Sequence, residues 1–154
     1  MPMPLTGDQL VERFNAKQPP TALLFGTKVL SVDVEAQTVR MSFQPDERVI
    51  NPRGTIQGGI VTAMLDDCAA YAGIVAMGEP GFIASLELKT SFFSPAFPGN
   101  LFAEGRCIKI GKSSCFLEAE LTDGDGKLLA KLTSTAAPLR SRQTPKLVST
   151  ENAT

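Results

Sequence analysis

Histidine is missing from all 154 residues of the chain, and that absence removes more chemistry than any other feature of the composition. Imidazole is the usual proton shuttle of enzymes and the usual nitrogen ligand of transition metals. Ser-His-Asp and Cys-His nucleophilic sites, and His-ligated zinc or iron, cannot be assembled from this sequence. Acid-base or nucleophilic work falls to a carboxylate, with backbone dipoles left to stabilise developing charge. Cysteine is scarce and odd in number, and Cys68, Cys107 and Cys115 share no metal-type spacing, so they read as buried, reduced thiols. Charge of one sign is also lacking: 15 Lys and Arg face 16 Asp and Glu, interspersed without long runs, which argues against a nucleic-acid partner. The start, MPMPLTGDQL, has no basic segment followed by an apolar run, and no stretch reads as the roughly 20 apolar residues that span a bilayer. The expectation is a cytoplasmic protein with no membrane segment. Trp is absent and Tyr single, yet 43% of the residues are hydrophobic, enough for one domain to bury a core without metals or disulfides.

What is present falls into two periods. Leu10, Val11 and Phe14 recur at helical spacing behind Thr6, which predicts a short capped helix to about Lys17, ended by Pro19-Pro20. Two β-rich runs, Phe25 to Val34 and Thr38 to Phe43, flank Glu35-Ala36-Gln37 and predict a hairpin. After an irregular stretch with Pro45, Pro52 and Gly54, the triplet Gln57-Gly58-Gly59 opens one long helix to about Met77, with Gly78 and Pro80 as stop signals. Val61, Met64, Leu65, Cys68, Ala72 and Val75 form its apolar stripe, while its alanines and Gly73 keep the other faces slim, so the helix should be buried. Downstream the period becomes 2, predicting strands at about Phe82 to Phe93, Leu101 to Ile110, Ser114 to Thr122 and Leu128 to Ala137. Gly111-Lys112 and Asp123-Gly124-Asp125-Gly126 supply their turns. The expected organisation is an N-terminal helix and lead-in over 1–20, an α+β domain over 21–139 with a curved antiparallel sheet around the long helix, and a disordered tail over 140–154.

Asn51-Pro-Arg-Gly-Thr-Ile-Gln57-Gly58-Gly59, followed by Ile60 to Asp66, resembles the N-x-x-G-x-x-H-G-G-x6-D signature of PaaI-type hotdog-fold acyl-CoA thioesterases. Only the His departs from it. The likeness continues through Phe-Ser-Pro-Ala at 93–96, Gly111-Lys112 and the strand Gly126-Lys-Leu-Leu-Ala130, so it covers about Phe25 to Ala137. The resemblance implies the hotdog fold, hydrolysis of an acyl-CoA thioester without metal or other cofactor, and a homodimer or a dimer-of-dimers tetramer whose sites lie at the subunit interface.

The residues can be weighed beside that likeness. Gly58 and Gly59 would let a thioester carbonyl approach the helix N-terminus, where unpaired N–H groups form a candidate oxyanion hole; the alternative is that they only relieve crowding at a loop-to-helix junction. Asp66 is a candidate nucleophile or general base, or else a buried structural carboxylate. Asp67, about 100° further round the helix, reads as a solvated or ion-paired neighbour. Asn51 either positions reacting groups or caps a loop before Pro52. By resemblance Ser85 orients the attacking water. Gln57 stands where the family has His; it can donate and accept hydrogen bonds but carries no proton at neutral pH. The hairpin Lys109-Ile110-Gly111-Lys112-Ser113-Ser114 matches the family's nucleotide-contacting turn, and Phe92 an aromatic position near the bound thioester. A non-catalytic acyl-CoA-binding hotdog protein is the alternative that Gln57 suggests, and a dehydratase is disfavoured because such sites pair His with a carboxylate.

Overall fold

The computed structural model of the chain describes residues 3–141. Thr6 caps the first helix, α1 (Gly7–Ala16), through a capping box in which Thr6 Oγ1 accepts from the Gln9 N–H and Gln9 Oε1 accepts from the Thr6 N–H. A second helix, α2 (Pro20–Phe25), corrects the reading of Pro19-Pro20 as a simple stop and of Phe25 as the start of a strand. Proline at N1 lacks only an N–H that the first helical turn would leave unpaired, so Pro20 begins a helix as readily as it ends one. Gly26, at φ 59°, closes α2 in the left-handed region.

Six antiparallel strands follow: β1 (Lys28–Asp33), β2 (Thr38–Phe43), β3 (Gly81–Phe92), β4 (Leu101–Ile110), β5 (Cys115–Asp123) and β6 (Leu128–Arg140). They form one sheet in the order β1-β2-β4-β5-β6-β3, so β1 and β3 are its edges. The long helix α3 (Gly58–Met77) lies on the concave face and packs against β2 through β6. The whole predicted stripe, Val61, Met64, Leu65, Cys68, Ala72 and Val75, is buried there, as are Cys107 and Cys115. Leu65→Ala in this fully buried position should cost about 2–5 kcal/mol. Close approach of helix and sheet needs Gly105 on β4, where a Cβ would run into the Cys68 carbonyl. The expectation that no segment approaches a membrane-spanning length is corrected by α3 itself, which has 20 residues and a mean hydropathy of 1.5. It is the core helix of this domain, with half of its most apolar window buried.

β6 runs past its expected end at Ala137 to Arg140. Pro138 is tolerated because β5 ends opposite Ala136, leaving nothing on that side for a proline N–H to bond, while Ile83 of β3 pairs on the other side. Arg140, assigned from sequence to the tail, is anchored by Glu79 at 2.5 Å. The rest of the expected tail, 142–154, lies outside the described residues.

β3 and α3 run antiparallel and touch along their length. Gly58 meets the Phe92 ring, Thr62 Oγ1 and Thr90 Oγ1 share a hydrogen bond of 2.8 Å, and Ser85 meets Asp66. Further along, Gly73 packs on Ile83 and Met77 on Gly81. These contacts place every helix residue of interest at a known point along the edge strand.

Candidate active site

Three groups of residues emerge, and one chain keeps them apart. The first is the N-terminus of α3. Gln57 is its N-cap, and its side-chain Oε1 accepts from the Ile60 N–H at 3.0 Å. The Gln57 carbonyl takes the N–H groups of Ile60 at 2.9 Å and Val61 at 3.1 Å. The N–H groups of Gly58 and Gly59 are left without an acceptor among the described residues, pointing out of the positive end of a 20-residue helix. Both glycines lie close against neighbouring side chains. A Cβ on Gly59 would sit 2.9 Å from Gln57 Oε1, and one on Gly58 would sit 3.3 Å from Phe92 Cζ. The Phe92 ring, 55% exposed, therefore forms one wall of the approach to two free donors. Two N–H groups beside an apolar wall suit an oxygen that gains negative charge.

Asn51 lies just upstream and is occupied in shaping the loop. Its Nδ2 donates to Thr55 Oγ1 at 2.8 Å, and its Oδ1 accepts from the backbone N–H groups of Arg53 (3.0 Å) and Thr55 (3.2 Å). Of the two roles open from sequence, loop capping is the one visible in these bonds.

The second group is Asp66 with Ser85. The Ser85 hydroxyl donates to Asp66 Oδ1 at 2.7 Å, which fixes the carboxylate against β3 and leaves Oδ2 available. Asp67 differs from its expectation: it is partly buried and forms no ion pair or hydrogen bond among the described residues. Burial, and then the charge of Asp66, push its carboxyl up to about 6. Tyr71, one turn further along, packs its ring on Phe14 of α1 at 4.7 Å between centroids, and that docking of α1 helps enclose this side of the helix. Burial also pushes the Tyr71 hydroxyl upward, with Asp67 adding to it. Sequence reasoning missed this environment because nothing in the local pattern says that α1 will pack there.

The third group is the β4–β5 hairpin. Lys109 and Ile110 end β4, the Gly111 N–H donates to the Ser114 carbonyl at 2.8 Å, and Lys112 and Ser113 form the exposed tip. Lys112 and Ser113 line a groove of about 800 Å³ together with Glu79 and the end of β6. Arg140 Nη1 donates to the Lys112 carbonyl at 3.2 Å, tying the tip to that strand. The groove lies by the C-terminal end of α3, so the helix, roughly 30 Å long, separates it from Gly58 of the same chain.

A family model described as Thioesterase superfamily matches residues 53–130, which include Gly58, Asp66, Ser85 and the hairpin. The chain belongs to the thioesterase superfamily. A phenylacetic acid degradation-related protein from Ralstonia eutropha has a crystal structure 33% identical in sequence, with a TM-score of 0.75 over 81% of this chain and 94% of that one. The E. coli PaaI protein from the phenylacetic acid degradation operon shares the fold at 17% identity, with a TM-score of 0.73 over 84% of this chain and 91% of that one. Among curated sequences, 1,4-dihydroxy-2-naphthoyl-CoA hydrolase of Listeria monocytogenes is 25% identical over 118 residues, 77% of this chain and 94% of that one. The architecture of six antiparallel strands around one helix is the hotdog fold of that superfamily, and the general chemistry is thioester hydrolysis.

Proposed function

We propose that the chain hydrolyses acyl-CoA thioesters in a site built from two copies, with Asp66 as general base and the Gly58 N–H as oxyanion donor. The observation that carries this reading is the division of labour along α3: free donors at its N-terminus, and an oriented carboxylate two turns on. Eight residues at about 1.5 Å each separate Gly58 from Asp66 by roughly 12 Å of helix, too far for both to act on one carbonyl at hydrogen-bond range. A two-fold that sets two α3 helices antiparallel brings Gly58 of one copy towards Asp66 of the other. Asp66 Oδ2 then takes a proton from water as the water oxygen attacks the thioester carbon. The carbonyl oxygen, now negative, is held by the Gly58 N–H. Collapse of the tetrahedral species breaks the C–S bond, and the CoA thiolate leaves to take up the proton. Ser85, by holding Oδ1, keeps the basic oxygen aimed at the water. The nucleotide end of CoA carries phosphates that suit the Lys112 tip and its turn N–H groups. The Listeria relative, by its name, acts on an acyl-CoA, which supports this choice of thioester.

A second reading is binding without turnover. Gln57 favours it, since its side chain is spent capping α3 and cannot carry a proton where the family has His. Thiol release measured across short, long and aromatic acyl-CoA substrates separates the two. Turnover of any of them that vanishes in Asp66→Asn supports hydrolysis; saturable acyl-CoA binding with no thiol released from any substrate would sink it.

A further inference from the structure

Among the described residues, two side-chain hydrogen bonds tie α3 to β3, and only one of them has a place in the proposed chemistry. Ser85 holds Asp66 at 2.7 Å; Thr62 Oγ1 and Thr90 Oγ1, 2.8 Å apart, form the other. Gly58, Thr62 and Asp66 follow at intervals of four along α3, so they share the stripe that faces β3. Thr62 and Thr90 are half-buried, and their hydroxyls are bonded to each other and to no other group among the described residues.

The seam between helix and strand is closed on one side of Asp66 and open on the other. Towards the C-terminal end of α3, Ile83 is 3% exposed, and a Cβ on Gly73 would sit 2.9 Å from its Cγ1. Towards the N-terminal end, Leu88 is 39% exposed, although it lies on the face of β3 that sets Thr90 and Phe92 against the helix. A pit therefore lies between the two hydrogen-bonded pairs. Asp66 and Ser85 stand at one end of it, Thr62 and Thr90 at the other, and Leu88 along its side.

The direction of the substrate follows from the proposed site, on whose reading this inference rests. The groove beside Lys112, which suits the nucleotide, lies by the C-terminal end of α3. A thioester carries its two substituents on opposite sides of the carbonyl carbon. With CoA leading from Asp66 towards the groove, the acyl group leads the other way, into the pit. We infer that the Thr62–Thr90 pair is the end wall of the acyl pocket and sets the length of acyl chain that the site accepts. Asp66 and Thr62 are separated by roughly 6 Å of helix, and Ser85 and Thr90 by roughly 13 Å of strand once the bulge after Ser85 is allowed for. The carbonyl and ordinary van der Waals contact occupy part of that length, which leaves space for about four to six carbons beyond the carbonyl. A longer chain has to part the two hydroxyls and spread helix from strand, or bend back towards solvent.

A chain-length series tests the wall. Turnover is followed by thiol release from straight-chain acyl-CoA substrates, and binding by calorimetry with S-alkyl-CoA thioethers of the same lengths, which cannot be hydrolysed. In the parent both should be best near six carbons and fall by about 30-fold or more for a twelve-carbon chain. Thr62→Ala and Thr90→Ala each take bulk from the end wall, and the double variant should raise the ratio of twelve-carbon to four-carbon substrate about 10-fold in both assays. Thr62→Val and Thr90→Val keep the bulk and lose the hydroxyls, so their ratios should stay within about threefold of the parent's. Circular dichroism checks that each variant is folded, and the single Ala variants carry the test if the double one is not. A parent that takes twelve carbons as well as four, Ala variants that keep the parent's ratio, or Val variants that shift it as far as Ala would each overturn the end wall and leave the shared site standing. A length limit in binding with no turnover of any substrate would keep the wall and sink hydrolysis. A parent that binds none of the thioethers would sink both.

Discussion

Asp66 and Asp67 are adjacent on one helix and have opposite fates. Asp66 faces the edge strand, holds a 2.7 Å hydrogen bond from Ser85 and lies between the free donors of Gly58 and the groove beside Lys112. Asp67 is turned about 100° away, partly buried, and held without hydrogen bond or ion pair among the described residues. The difference teaches that a perturbed carboxyl is not by itself a working one. Burial has raised Asp67 to about 6, a value often associated with acid-base catalysis, yet it lacks a partner to aim it. Asp66 has the aim, and geometry comes before acidity in choosing a base.

The largest effect should therefore come from Asp66→Asn. The amide keeps the shape and the contact with Ser85 but cannot accept a proton, so kcat should fall by about 10²–10⁴-fold with acyl-CoA binding nearly kept. Asp67→Asn should leave kcat within about twofold. Equal losses in a thiol-release assay would erase the distinction between the two residues. Gly58→Pro attacks the other half of the site. Gly58 is the first residue of α3, where proline is tolerated, and Gln57 at φ −58° and ψ 135° already has the backbone that precedes a proline. The variant removes one N–H, and kcat should fall by about 10²–10³-fold.

Mixing these two disabled chains asks whether Asp66 works with its own Gly58 or with its partner's. Random pairing of Asp66→Asn with Gly58→Pro makes about half the dimers mixed, each with one intact and one doubly damaged site, so activity should recover to roughly a quarter of the parent's. No recovery despite heterodimers visible by native mass spectrometry would put both groups in one chain's site.

Much of this was readable in the sequence because it is local. The stripe Val61 to Val75, the entry Gln57-Gly58-Gly59 and β4 all occur where period and turn residues place them. The helix α2 was hidden because Pro20 serves equally as stop or start, and the extension of β6 through Pro138 depends on where a neighbouring strand ends. Two features of the site were beyond local reading for the same reason. The enclosure of Asp67 is tertiary, and so is the Phe92 ring against Gly58, which depends on β3 running antiparallel to α3. Spacing singled out Asp66 and Ser85, but only the fold shows them bonded.

A smaller effect is expected where substrate meets the surface. Lys112→Glu at the exposed hairpin tip should raise the KM for full acyl-CoA by about fivefold and leave a truncated pantetheine thioester, which lacks the nucleotide phosphates, almost unchanged. Equal changes for both would remove the hairpin from the site and leave Asp66 and Gly58 without a nucleotide anchor on this groove.

The last test touches stability and leaves turnover alone. Asp67 ionises near 6 in the folded chain against an ordinary value of 3.8, because burial and the Asp66 charge both oppose its negative form. Below about pH 3 the carboxyl is protonated whether the chain is folded or not, and it costs nothing. As pH rises from about 4 to 6 the unfolded chain releases the proton while the folded chain retains it, so stability falls across that window and stays lower above it. The penalty at neutral pH is about 1–3 kcal/mol, the lower end applying if a second copy gives Asp67 a partner. Asp67→Asn is neutral at every pH and should escape it. Urea unfolding of the variant should match the parent at about pH 3 and exceed it at about pH 7.5, with the gap opening between those values. A gap that is the same at both would mean that the amide packs better or worse for reasons of shape. Asp67 would then be an ordinary ionised carboxylate, and the contrast with Asp66 would rest on the Ser85 hydrogen bond alone.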